Sequence, residues 1–159
     1  MAITFPSVNY YEWSETCDTL HAFTQILGKL AVRLAPPEPQ LQHAALRLTS
    51  RGWETNPLPA PDGSGSMTVI IDLQTHEAVV EHSNGLGDRV PLYPDTSVAD
   101  VTRGLVAIVS SLGGDIEIAG HLNQYDHISV CAAFRADDFR RVGRCSGLVH
   151  DAAGPGDPV

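Results

Sequence analysis

Prolines at Pro36, Pro37 and Pro39 close the longest periodic pattern in this chain, and that stop constrains everything after it. Upstream, Leu20, Phe23, Leu27, Leu30 and Leu34 recur at steps of three and four residues, the signature of an amphipathic helix. Proline has no N–H to donate and biases the residue before it away from helical dihedrals, so the pattern cannot run on. Ser14 is the expected N-cap, with Glu15 and Asp18 complementing the dipole of the first turn. The spacing predicts a helix over about residues 15–34.

The middle of the chain reads as strand. Leu46 and Leu48 alternate with Arg47 and Thr49, which predicts a half-buried strand ending near Arg51-Gly52. Asn56 to Gly65 is rich in turn formers and is expected to be an exposed loop, with Gly63-Ser64-Gly65-Ser66 its most flexible part. Met67, Val69, Ile71 and Leu73 alternate, and Ala78 and Val80 follow after a short connection, so a hairpin is predicted. Asn84-Gly85 is a turn signal, and Arg89 to Tyr93 suits a proline-limited edge strand.

A second helix is expected from Ser97, where Asp100 stands in for the usual Glu or Gln of a capping box. Val98, Val101, Leu105, Ile108 and Leu112 form its apolar stripe, and Gly113-Gly114 ends it. Ile116 with Ile118, and Ile128 to Phe134, are read as further strands, and Asp137 to Val142 as a short helix. The chain from Asp151 is Gly/Pro/Ala-rich and expected to be a disordered tail. Strands grouped between helices, without strict alternation, favour an α+β domain over residues 1–150. The expected form is an antiparallel sheet of about five to six strands with two long amphipathic helices packed on one face.

With 159 residues, 43% of them apolar, the chain is long enough for one real core. The formal charge of −9 argues against nucleic acid and anionic membranes, which need a basic footprint. Arg135, Arg140, Arg141 and Arg144 do cluster, but Asp137 and Asp138 sit among them. No apolar run approaches the roughly 20 residues of a membrane helix, and Met1 to Pro6 does not read as a signal peptide. Three cysteines, Cys17, Cys131 and Cys145, suit a reducing compartment, so the cytoplasm is the expected location.

The motifs Thr19-Leu20-His21, Thr24-Gln25-Ile26, Gly28-Lys29 and Ala35-Pro36-Pro37 occur in order after Trp13. Arg51-Gly52, Thr55 with Pro57 and Pro59, Asp72 with His76, and Ser97-Val98-Ala99-Asp100 follow at fitting distances. In this order, over about residues 12–120, the chain resembles the DUF5996 family of bacterial proteins. The resemblance implies a fold and brings no activity with it. Where relatives look like Asn-His-Trp-Trp after the prolines, this chain has Pro39-Gln40-Leu41-Gln42, so it resembles a diverged member. Relatives also look roughly twice as long, which implies a shortened one.

Candidate chemistry gathers on the first helix. His21, Gln25 and Lys29 follow an i, i+4, i+8 spacing and share a face, with Thr24 beside them. A histidine titrating near neutrality suits general acid–base work, with Gln25 and His43 orienting a substrate and Trp13, Phe23, Thr24, Lys29 and Trp53 binding it. No Gly-x-Gly-x-x-Gly, Walker loop, nucleophile elbow or zinc spacing occurs, so neither a cofactor nor a metal is expected. Two readings follow. One is a cofactor-independent isomerase, cyclase or lyase moving a proton on an apolar metabolite. The other is a non-catalytic interaction module or homodimer.

Overall fold

The computed structural model describes residues 9–94 and 96–116. Helix α1 (Tyr10–Leu34) is followed by a tight 3-10 segment (Pro39–Ala44), then β1 (Leu46–Leu48), β2 (Gly52–Thr55), β3 (Leu58–Pro59), β4 (Ser66–Asp72), β5 (Glu77–His82), β6 (Gly87–Pro91) and helix α2 (Val98–Gly113). Every strand pairing is antiparallel. The order across the sheet is β1-β2-β4-β5-β6, with β3 pairing β4 beside the end of β2. The fold is α+β, as the pattern of elements implies.

Helix α1 begins five residues before its expected start. Asn9 caps it, its side chain accepting the Tyr11 N–H at 3.2 Å, and Ser14 lies within the helix. Asn and Ser are equally good caps, so capping chemistry alone does not choose between them. The proline stop works as predicted: Ala35 leaves the helix in an extended conformation, its N–H still bonded to the Ala31 carbonyl.

The expected strand at 46–51 is a hairpin arm, because Thr49 turns the chain with both its N–H and its hydroxyl on the Gly52 carbonyl. The expected loop at 56–65 contains β3, whose Leu58 pairs with Met67 and is fully buried. The predicted hairpin forms, and its register sets Ile71 opposite Ala78 and Val69 opposite Val80. Helix α2 carries the predicted capping box in full: Asp100 N–H donates to Ser97 Oγ at 3.0 Å, and Ser97 N–H donates back to the Asp100 carboxylate.

One core unites both helices with one sheet face. Phe23, Leu27 and Leu30 of α1 and Val101, Leu105 and Val109 of α2 pack with Met67, Val69, Ile71, Ala78 and Val80. Helix α2 lies along β5 and β6, and α1 reaches β1 to β4. The opposite face is charged and laced with ion pairs: Arg47–Glu54 at 2.6 Å, Arg51–Glu81 at 3.4 Å and Arg89–Glu77 at 3.3 Å. Each pair keeps its arginine in solvent, which limits what it contributes to stability, so the fold rests mainly on the apolar face.

Ile116 is the last described residue of the expected strand at 116–118. The remainder of that strand, the strand at 128–134, the short helix at 137–142 and the tail from 151 lie outside the described residues. No described helix is long and apolar enough to cross a membrane.

Candidate functional site

The polar stripe of α1 forms the upper edge of a surface groove. Steps of four residues advance about 40° around a helix, so His21, Gln25, Lys29 and Arg33 drift slowly along one side. Gln25, Gly28, Lys29, Val32 and Arg33 line the groove, and Ala44 closes it from the 3-10 segment. Its volume is ≈ 550 Å³, and it is shallow and broadly open to solvent. Two of the six lining residues, Lys29 and Arg33, are cationic and none is acidic. Lys29 is the single lysine of the whole chain.

His21 stands at the N-terminal end of this stripe. Its Nε2 lies 3.0 Å from Gln25 Nε2, a hydrogen bond in which the amide donates and the imidazole accepts. That polarity leaves the ring proton of neutral His21 on Nδ1. The ring is exposed. Thr24 is occupied locally, its hydroxyl donating to the His21 carbonyl at 2.8 Å.

Gly28 makes the groove floor. It lies mid-helix with φ not positive, and a Cβ built there meets nothing within 4 Å. Neither turn geometry nor close packing therefore requires glycine, although glycine in a helix interior costs roughly 1 kcal/mol relative to alanine. What a side chain would do there is fill the groove. Gly104 of α2 is the contrast: its Cβ would sit 2.6 Å from a methyl of Val90, so helix–sheet packing requires it.

The far wall depends on an unusual turn. Gln40 (φ 58°, ψ 25°) and Leu41 (φ 59°, ψ 31°) are both left-handed, which costs about 1–2 kcal/mol for each such residue. The pair folds the chain back so that the 3-10 segment packs on α1. His43 holds the turn from within. It is 5% exposed, and its Nδ1 accepts the Glu38 N–H at 3.0 Å. One ring nitrogen of this expected catalytic residue is thus committed to the backbone.

The other expected residues are spread through the fold. Phe23 is fully buried in the core, about 200° around the helix from His21, and does not line the groove. Trp53 packs at the core margin on β2, and Trp13 is half-buried near the start of α1; neither lines the groove. Of the predicted set, Gln25 and Lys29 line it, with His21 bonded to Gln25. Sequence reasoning missed Gly28, Val32, Arg33 and Ala44. Arg33 continues the four-residue spacing by one more step and was recoverable from it.

A second polar cluster ties the 60–65 loop to the sheet. Buried His82 accepts the Asn84 N–H on Nδ1 at 3.1 Å, so its neutral ring carries the proton on Nε2, 3.1 Å from Ser64 Oγ. Ser64 in turn holds the Asp62 carboxyl below its ordinary 3.8, through its hydroxyl first and its N–H second. The imidazole donates to the hydroxyl here, which is opposite to what activates a serine nucleophile. The loop expected to be flexible is pinned.

Among the described residues no His, Cys, Asp and Glu side chains come together in a group of three or more that could hold a metal ion. Nor does any buried side-chain nitrogen or oxygen there lack a hydrogen-bond partner. The groove on α1 is the concave feature that joins the predicted polar residues.

Comparison with known proteins agrees with the sequence motifs. Residues 5–141 match the profile of a family of unknown function, DUF5996, and the chain belongs to that family. No curated protein and no solved structure matches it.

Proposed function

We propose that this DUF5996 protein is a small-molecule-binding protein whose ligand lies in the α1 groove. The observation that carries the reading is Gly28, a helix-interior glycine with open space above it, flanked by Gln25, Lys29 and Arg33. A groove with an apolar floor and a few polar groups is the common form of a ligand site. Native mass spectrometry of the protein purified from its own host tests it. A retained molecule of defined mass is expected in the wild type and absent from Gly28→Leu, which fills the groove with a good helix former. A molecule that persists in Gly28→Leu would place the site elsewhere and overturn the reading.

The His21–Gln25 hydrogen bond favours a second, catalytic form of the same reading. In it His21 transfers a proton on an apolar metabolite bound in the groove, in an isomerisation, cyclisation or elimination that needs no cofactor. The exposed ring and the open groove give that chemistry little exclusion of water, so binding is the primary proposal. Full turnover by a folded His21→Ala variant would eliminate the catalytic form.

The competing class is an interaction module or homodimer that uses a sheet surface. Its natural candidate is the ion-paired outer face, which offers complementary charge and little exposed apolar area. That composition is less suited to a stable partner than the groove is to a ligand.

A further inference from the structure

We infer that protonation of His43 gates the α1 groove: the neutral imidazole holds the groove's far wall in place, and the protonated one releases it. The inference rests on the groove being a ligand site and adds how that site is regulated. His43 does not line the groove. It acts through Ala44, its neighbour in the chain and the residue that the 3-10 segment gives to the groove.

The geometry fixes the protonation state that holds the wall. Nδ1 of the buried ring accepts the Glu38 N–H at 3.0 Å, and an amide N–H can only donate. The ring therefore carries its proton on Nε2, and a second proton can go only to Nδ1. Two N–H groups would then face each other across the contact, and the bond is lost. At 5% exposure the ring cannot replace that bond with water unless the segment around it moves.

What the bond restrains is a strained turn. Gln40 and Leu41, both left-handed, lie between Glu38 and His43, so the bond closes the chain across the pair. The Leu41 N–H to the Glu38 carbonyl and the Ala45 N–H to the Gln42 carbonyl also hold the turn, but neither spans both residues. The Glu38 side chain makes no capping bond of its own. Strained backbone persists where its surroundings enforce it, and here the enforcing contact is one that a proton removes.

The charged neighbours do not supply this response. Helix α1 packs on the segment and brings Lys29 and Arg33 to the groove, both already engaged in interactions of their own. Glu38 is the acid of the segment and is exposed. On β1, Arg47 is paired with Glu54. His21, bonded to Gln25, is the other histidine at the groove. Among these side-chain types, histidine is the one that changes charge between about pH 8 and pH 5.

The test follows the ring and the wall together by NMR from about pH 8 to pH 5. The amides of Glu38, Ala44 and Gly28 are expected to shift with the midpoint of the His43 ring, the Glu38 proton moving upfield as its bond breaks. His43→Asn places an amide oxygen near the position of Nδ1 and does not titrate, so these shifts should vanish in it. Native mass spectrometry then reads the consequence. The molecule retained by the wild type at about pH 8 should be lost on exchange to about pH 5, and kept at both by His43→Asn. Wall amides that ignore the His43 ring, or that shift unchanged in His43→Asn, would overturn the gating. Retention by the wild type at both pH values would do the same, and each of these results leaves the groove reading standing. No retained molecule at any pH would remove the groove reading, and the gate with it. If His43→Asn does not fold, the wild-type ring decides: titration in step with the Glu38 amide supports the gate, and a ring that stays neutral until the protein unfolds overturns it.

Discussion

At the scale of single residues, Gly28 separates what the fold needs from what the groove needs. Its backbone is ordinary helix and its surroundings are empty, so stability favours a side chain there. Gly28→Ala should stabilise the protein by about 0.5–1 kcal/mol in urea denaturation, through helix propensity alone. Loss of stability would mean that the position has a packing role the structure lacks. The i+4 stripe of His21, Gln25 and Lys29 was legible in the sequence because helical periodicity is local. Gly28, Val32 and Ala44 were not, since a groove exists only once the chain returns to the helix. That return depends on two left-handed non-glycine residues, Gln40 and Leu41, which residue propensities do not announce. Phe23 shows the opposite limit. Its place in the apolar stripe already implied a core role, and the structure buries it completely.

At the scale of elements, helix α2 was the most readable piece because its start, stripe and stop agree. Ser97 and Asp100 bond reciprocally, and Gly114 follows the last turn with φ 93°. Ser97→Ala should lower stability by about 1 kcal/mol, measured as a shift in the denaturation midpoint. The acid dependence follows from Asp100, whose carboxyl is held below its ordinary 3.8 first by the Ser97 hydroxyl and then by Arg103. A depressed carboxyl stabilises the fold fully above its unfolded value and stops doing so as pH falls through the folded one. The stability gap between wild type and Asp100→Asn should therefore be constant above pH 3.8 and close below it; a gap that widens in acid would contradict the assignment. Strands were less legible where prolines intervene. Pro57 and Pro59 made 56–65 read as loop, yet β3 needs few ladder bonds and pairs with the first residues of β4.

At the scale of the whole molecule, one core between two helices and one sheet face holds the site in place. The polar side of α1 can carry a groove because its apolar side, with Phe23, Leu27 and Leu30 fully buried, anchors the helix to the sheet. Phe23→Ala should cost about 3–5 kcal/mol, as a large buried ring lost from a packed core. Ligand binding should weaken only as far as the folded fraction falls, and a selective loss of binding at full stability would return Phe23 to the site. The fold class was readable because element order and alternation are global regularities of the sequence. The division of one long helix into a core side and a ligand side is the central claim, and an amide chemical-shift map against a mixed library of small organic acids, amines and neutral fragments tests it most directly. The account predicts shifts concentrated at Gln25, Gly28, Lys29, Val32, Arg33 and Ala44. Hits confined to the ion-paired face around Arg47, Glu54, Glu77 and Arg89, with the α1 groove silent, would contradict it.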